Sequence, residues 1–419
     1  MAQEETAVGW DLEAVRAAFP ILAKPLSDGR RLTYLDTAAS AQKPQSVIDA
    51  ERAVYETYYA NAYRGVYEFG ARIDEAIEAT RETVRRFIGA GEAEEIIFTR
   101  GTTESLNVVA SGWGRRFLDE GDEIVVTLLE HHANLVPWQQ VALETGARLR
   151  YIELTPEGRL DPESIEQAFT ERTRLLAVTA MSNVLGTEPP LAELCEVAHE
   201  YGALVVVDAA QSVSHSPIDV QALGADFLAF SGHKLYGPTG VGVLWGRREL
   251  LEQMQPFVFG GHMIEVVERH RATWAPLPAK FEGGTLPIAQ IIALKTAIEF
   301  VQGLGLSAIR RHEHEVLQYA HQRLREVPGM RIYGPPVEEK GPIVSFTVDG
   351  AHAEDLANLL DLHGVFVRHG HHCTMPLHEW LNVPATVRAS FGVYSGPDDV
   401  DALVEGLLAA RRRLRLDRR

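Results

Sequence analysis

The sequence predicts an α/β fold: a large unit built on a mainly parallel sheet, followed by a smaller α+β unit. Two observations carry that expectation. Between about residues 95 and 245, short apolar runs alternate with helix-like segments: "EIIFT", "EIVVT", "RLLAVTA", "ALVVVD", "DFLAF" and "VGVLW". Runs of this length, bounded by Gly and polar turns, read as strands covered on both faces. Beyond Gln290 the pattern changes to a long helical stretch reaching about Val327. It continues with "RIYG", "PIVSFTV", a helix near Ala353 to His363, "VFVR", "TVRASFGVY" and a last helix. Strands with helices set to one side describe an α+β unit.

The chain has 419 residues, 46% of them apolar, enough to bury a large core and to divide into domains. The change of pattern places a large domain at 28–296 and a small one formed by 1–27 and 297–419. Lys plus Arg number 40 against 58 Asp plus Glu, a net charge of −18. That balance repels a phosphate backbone, so nucleic acid is not an expected partner. The start "MAQEETAVGW" has no apolar core of a leader, and no window approaches the roughly 18 apolar residues a membrane span needs. A cytoplasmic protein is expected. Of the two cysteines, Cys195 shares a helical face with Leu191, Leu194 and Ala198 and reads as core. The closing "ARRRLRLDRR" reads as a helix end whose arginines complement the dipole and stay solvated. There are no repeats and no low-complexity linker.

Ligands of doubly wound sheets gather beyond the carboxyl ends of the strands, so the residues just after each run matter most. After "EIIF" comes "TRGTTESLNVVA", where Thr102 and Thr103 suit either plain capping of a helix or a bound phosphate. A nucleotide P-loop is not supported, because Glu104 stands where its lysine would follow. "ALVVVDAAQS" ends a buried run with Asp208, and Gln211 lies three residues on. An acid there is a helix cap, a salt bridge or a ligand to a cation. The next run leads into "SGHKLYGPTGVG", presenting Ser231, His233 and Lys234. "GVGVLW" lacks the third glycine and the following helix of a dinucleotide fingerprint.

"VRHGHHCTMP" raises a separate question, because three histidines and Cys373 within five residues supply ligand types for a metal. No C-x-x-C or H-E-x-x-H accompanies them, and structural zinc sites draw paired ligands from two separated places. No metal is expected.

A lysine at one strand end, an acid on the neighbouring run and a phosphate-ready helix start make one constellation. Pyridoxal 5'-phosphate needs all three: an amine for covalent attachment, a carboxylate to keep its pyridine nitrogen protonated, and an anion site. A free lysine is neutral in only about one molecule in 2,500 at pH 7, and attachment to an aldehyde removes that limit.

From about Thr33 to Tyr394 the motifs "YLDTAASAQKP", "GTTESLNVVA", "EHHANLVPWQ", "SNVLGT", "VDAAQS", "SGHKLYGPTGVGVLWG", "FEGGT", "HGHHC" and "RASFGVY" follow in order. In this the chain resembles the class V, fold-type I pyridoxal-phosphate enzymes and, within them, the SUF-type (group II) cysteine desulfurases. The resemblance implies that Lys234 is the Schiff-base lysine, that His131 stacks on the pyridine ring and that Asp208 pairs with its nitrogen. It implies Gln211 and Asn183 at the ring hydroxyl, and Thr102, Thr103, Ser231 and His233 at the phosphate. Thr285 of "FEGGT" would reach in from a neighbouring subunit. Arg388, with Asn183, would hold the substrate carboxylate, which a guanidinium fork matches in shape.

Cys373 would be the nucleophile. The implied reaction takes L-cysteine to L-alanine and leaves a persulfide on Cys373, whose sulfur passes to an acceptor protein of the SUF pathway for iron-sulfur cluster assembly. A free thiol is only about 3% thiolate at pH 7, so a base or positive field would help, and His371 and His372 are candidates. "GGHMIEVVERHRATWAPLPAKFEGGT" resembles the family's dimer-borne lid and implies a homodimer with shared sites. Departures from the family pattern are Tyr63 and Tyr67 at two histidine places in "AYRGVYEFG", Thr374 and Met375 where Ala-Gln is common, and His262 and His369. The same site chemistry would serve a selenocysteine lyase or a cysteine-sulfinate desulfinase. A kynureninase-like enzyme or a transaminase has no need of a reactive cysteine.

Overall fold

The structure is a computed structural model and describes residues 10–416. The acidic start, residues 1–9, and residues 417–419, with Arg418 and Arg419, lie outside the described residues. Seven strands make the central sheet: β1 (Ile96–Thr99), β2 (Glu123–Thr127), β3 (Arg148–Ile152), β4 (Thr173–Thr179), β5 (Leu204–Asp208), β6 (Phe227–Ser231) and β7 (Gly242–Gly246). Their spatial order is β1-β7-β6-β5-β4-β2-β3. Neighbours from β6 to β3 are parallel, whereas β7 pairs antiparallel with both β6 and β1. β7 alone therefore runs against the rest, and the sheet is mainly parallel as expected. All six apolar runs are strands. The seventh, β3, escapes the pattern because Arg148 and Arg150 interrupt it; at the sheet edge, paired only with β2, such residues are tolerated.

Side chains alternate between two cores. Ile96, Phe98, Val205, Val207 and Phe230 pack on one face, while Ile97, Val206, Phe227 and Ala229 pack on the other. Each such side chain contributes about 1.5–3 kcal/mol on burial, which is why both faces carry helices. Cys195 is buried in the first of these cores, as its helical pattern suggests, and burial pushes its thiol up to about 12.

After an antiparallel hairpin, β8 (Ile264–Val267) with β9 (Ala272–Trp274), the helical stretch beyond Gln290 is two helices, not one. Ile288–Leu304 and Leu306–Leu324 meet at an angle of 72°. Gly305 between them has φ +80°, which a continuing helix does not accommodate. No single helix among the described residues is long and apolar enough to cross a membrane. Four strands follow: β10 (Met330–Tyr333), β11 (Ile343–Val348), β12 (Arg368–Gly370) and β13 (Thr386–Ser390), antiparallel in the order β10-β11-β13-β12. Val344, Phe346, Val387 and Ala389 pack with Leu356, Leu403 and Leu407 of the helices Ala353–Asp361 and Pro397–Arg413. Of the terminal arginines, Arg411 departs from expectation: it is buried and donates from Nη1 to the Pro328 carbonyl. A separate two-residue parallel ladder pairs Thr33–Tyr34 with Val365–Phe366, and an isolated bridge from Asp36 to Ser390 ties that early segment to the second sheet.

Candidate active site

β1, β2, β4, β5 and β6 all end on the same edge of the sheet, and the cavity of about 270 Å³ there collects most of the residues singled out in the sequence. From β1 the chain turns through Gly101 into the helix Thr102–Val109. Gly101 has φ +152°, and a Cβ on Gly242 at the start of β7 would stand 2.4 Å from the Gly101 Cα. Both positions therefore require glycine. The close approach brings Thr102 to β6, where its N–H donates to Ser231 Oγ at 2.8 Å and its hydroxyl lies 2.7 Å from the same oxygen. Thr103 and His233 complete this end of the cavity, and His233 Nδ1 sits 3.2 Å from Ser40 Oγ.

Asp208 ends β5, buried, with Oδ1 accepting the Ala210 N–H at 2.9 Å. Burial pushes its carboxyl up, and Lys234 opposes that shift. Burial likewise lowers the Lys234 ammonium to about 8, with Asp208 acting in the opposite sense. His131 follows β2, and its Nδ1 accepts the Ala133 N–H at 3.0 Å, so that hydrogen bond assigns the ring proton to Nε2. Burial, then Lys234, pushes its pKa down to about 4; the ring is neutral at pH 7. Gln211 Nε2 donates to the Ala38 carbonyl at 2.8 Å.

The second sheet supplies the rest. Cys373 is exposed on the loop between β12 and the helix Met375–Trp380, and it lines the same cavity. Arg388, at the middle of β13, donates from Nη1 to the Asn183 carbonyl at 2.9 Å and from Nη2 to Asp36 Oδ1 at 3.3 Å. Its buried Nε has no partner, and neither has Asn183 Oδ1. Buried polar atoms are rarely left so, and both belong to residues that face the cavity; Arg388 Nε would donate to an anionic group of a ligand, and Asn183 Oδ1 would accept from a donor on it. Burial lowers the Arg388 guanidinium to about 10.

Of the expected residues, Thr102, Thr103, His131, Asn183, Asp208, Gln211, Ser231, His233, Lys234, Cys373 and Arg388 line one cavity, whereas Thr285 is exposed and away from it. His372 is buried with Nε2 3.0 Å from Thr386 Oγ1, and burial and Arg388 push its pKa down to about 2. It is the neutral imidazole at neutral pH and so adds no charge beside Cys373. His371 and His369 are exposed. Among the described residues no three His, Cys, Asp or Glu side chains converge as a metal ligand set. Tyr63 stacks on His262 with ring centroids 4.4 Å apart, its hydroxyl 3.2 Å from Glu78, while Tyr67 is exposed.

Sequence reasoning passes over two residues here, one lining the cavity and one bound to that residue. Arg368 lines the cavity and donates three hydrogen bonds to Asp36, of 2.9–3.2 Å, so a single carboxylate holds both Arg368 and Arg388. Asp36 ends "YLD", an acid after a short strand, which is the same signal that marks Asp208.

A family model described as aminotransferase class-V matches residues 33–403. A probable cysteine desulfurase of Halalkalibacterium halodurans is 49% identical over 393 residues, 94% of this chain and 96% of that protein. One of Streptomyces coelicolor is 48% identical over 402 residues, 95% of this chain and 96% of that protein. Among solved structures, an Escherichia coli cysteine desulfurase in an S-sulfonic acid form superposes with a TM-score of 0.89 at 39% identity, covering 97% of this chain and 99% of that one.

Proposed function

The chain belongs to the aminotransferase class-V family, and on that premise we propose that it is a pyridoxal-phosphate-dependent cysteine desulfurase. It converts L-cysteine to L-alanine and leaves the sulfur as a persulfide on Cys373. The observation that carries this reading is the meeting, in one cavity, of an amine, a buried acid, a neutral ring and an exposed thiol: Lys234, Asp208, His131 and Cys373. The donor set fits pyridoxal phosphate, since Thr102, Thr103, Ser231 and His233 form a polar cradle that a Cβ at Gly101 or Gly242 would disturb. When bound, that group supplies an electron sink which weakens the Cβ–S bond of an amino acid joined to it.

The protein's own residues do the rest. Lys234 would provide the attachment point, and Asp208 would keep a proton at the pyridine nitrogen. His131 would lie against the ring, while Asn183 and Gln211 would reach its hydroxyl. Arg388 orients the substrate carboxylate through Nε and Nη2, with Asn183 beside it. Cys373, as thiolate, attacks the substrate sulfur. An S–S bond forms as Cβ–S breaks, and Cβ takes up a proton to become the methyl of alanine. Arg368 and Arg388 set cations near the attacking sulfur.

The same reading makes the enzyme a cytoplasmic homodimer in which Thr285 of a second copy reaches the phosphate. Residues 28–296 form the cofactor domain, and 1–27 with 297–419 form the small domain. The exposed position of Cys373 supports transfer of its sulfur to an acceptor protein of the SUF pathway for iron-sulfur cluster assembly.

The test is colour and product. Purified wild type should be yellow, and Lys234→Ala should lose covalent cofactor. Cys373→Ala should keep the colour yet form alanine more slowly by about 100-fold or more, as removal of a nucleophile does. Wild type that stays colourless after reconstitution sinks the proposal.

A further inference from the structure

We propose that His132, the second histidine of "EHH", is the positioning residue of the nucleophile: it grips the chain just after the Cys373 side chain, at the Cys373 carbonyl and the Met375 N–H, and sets the direction of Sγ. The loop needs such a grip. His372 and Cys373 have φ +50° and +59°, two consecutive side-chain-bearing residues in the left-handed region. That conformation persists only where the surroundings hold it.

Three hydrogen bonds from residues remote in sequence hold the main chain here, and the His372 ring adds a side-chain contact to Thr386 Oγ1 at 3.0 Å. Asn183 Nδ2 donates to the His372 carbonyl at 2.8 Å. The His132 main-chain N–H donates to the Cys373 carbonyl at 2.7 Å. The Met375 N–H in turn donates to His132 Nε2 at 3.0 Å. Two of the three come from one residue, both just after the Cys373 side chain, while Asn183 holds the peptide just before it. Within the loop, the Thr374 N–H and hydroxyl add only a local turn onto the His371 carbonyl, at 2.9 and 2.7 Å.

The ring bond specifies a protonation state. An Nε2 that accepts is unprotonated, so His132 is the neutral tautomer with its proton on Nδ1. Burial and the neighbouring His371 both lower its pKa, which agrees with that tautomer. His132 touches neither substrate nor cofactor in this role and acts through the loop. It is also anchored independently of the loop, because His131 caps the short turn His132–Asn134 at the end of β2. The cofactor face of the site and the nucleophile are thus joined through adjacent residues.

The inference rests on the desulfurase reading for what the positioned sulfur attacks, but its test does not. His132→Leu removes the acceptor while leaving the main-chain N–H, and His132→Gln offers Oε1 in its place. In the cofactor-loaded His132→Leu enzyme, exchange of the Met375 amide should accelerate about tenfold, the worth of one lost hydrogen bond. Alkylation of Cys373 by iodoacetamide should change by about threefold or more, with the visible spectrum unaltered. For alanine formation kcat should fall about tenfold while KM for cysteine holds within about twofold, because positioning acts on the step and not on substrate binding.

His132→Gln should recover most of each change. Wild-type exchange and alkylation in His132→Leu overturn the assignment whatever the turnover. Equal losses in both variants, with a lowered melting temperature, overturn it too, since they mark a packing role only. If the wild type makes no alanine, the desulfurase reading fails, while exchange and alkylation still decide the grip.

Discussion

Lys234 carries the residue-scale consequence. Its ordinary pKa of 10.5 falls to about 8, because burial penalises the ammonium more than Asp208 supports it. The folded chain therefore gives up this proton before the unfolded chain does. Between about pH 8 and 10.5 the unfolded state holds more protons, and the stability of cofactor-free protein rises with pH across that window. The neutral amine required for attachment appears over the lower part of the same range. Colour development on adding pyridoxal phosphate to cofactor-free protein should accelerate about tenfold per pH unit below 8 and level off above it. A rate that stays flat from about pH 6.5 to 9 rules out a depressed lysine as the attachment point. Lys234, Asp208 and Cys373 are legible in the sequence because each follows an apolar run or sits in a dense polar motif. Asp36 gives the same strand-end signal as Asp208, but its weight does not show there, because it comes from contacts with Arg368 and Arg388, 332 and 352 positions away. The histidines divide in the same manner: the loop's own His372 is buried against Thr386, while His132, remote in sequence, holds the loop.

Among the elements, the turn from β1 into the helix Thr102–Val109 depends on a neighbour that periodicity does not reveal. β7 runs against the rest of the sheet, so its first residue, Gly242, meets the turn at Gly101 and not a second strand end. The "GVGVLW" run that fails as a dinucleotide fingerprint has its glycine for this reason. Gly242→Ala would force a Cβ to within 2.4 Å of the Gly101 Cα, and that backbone must shift. Overpacking of this kind costs about 1–3 kcal/mol. The shift moves Thr102 off Ser231, so pyridoxal phosphate should bind roughly 5- to 150-fold more weakly. Equilibrium dialysis checks this, and unchanged affinity with an unchanged fold would show that the cradle does not depend on the glycine pair. The six buried strands were readable as apolar runs. β3, with its charged edge, and the break at Gly305 depend on solvent exposure and on a single φ, neither of which leaves a periodic trace.

At the scale of the whole molecule, one cavity draws on both sheets, yet Thr285 is exposed on the surface that also carries the β8–β9 hairpin. Val266, Val267 and Phe259 are 51, 63 and 63% exposed there. A group of large apolar side chains left in water marks an association surface, and a self-complementary contact between two copies is the commonest way to cover one. In the homodimer proposed above, such a contact would carry Thr285 of each copy towards the phosphate cradle of the other. Wild type should sediment at about twice 46.3 kDa. Val267→Asp, which places a charge in the contact, should sediment as a monomer with unchanged circular dichroism. Its affinity for pyridoxal phosphate should fall about tenfold, the value of one hydrogen bond to a charged group, because Thr285 no longer arrives. Thr285→Ala should show the same loss of affinity while remaining a dimer, which separates the contact from the residue it delivers. A wild type that sediments at 46.3 kDa with full cofactor affinity would mean that the cavity is complete within one chain.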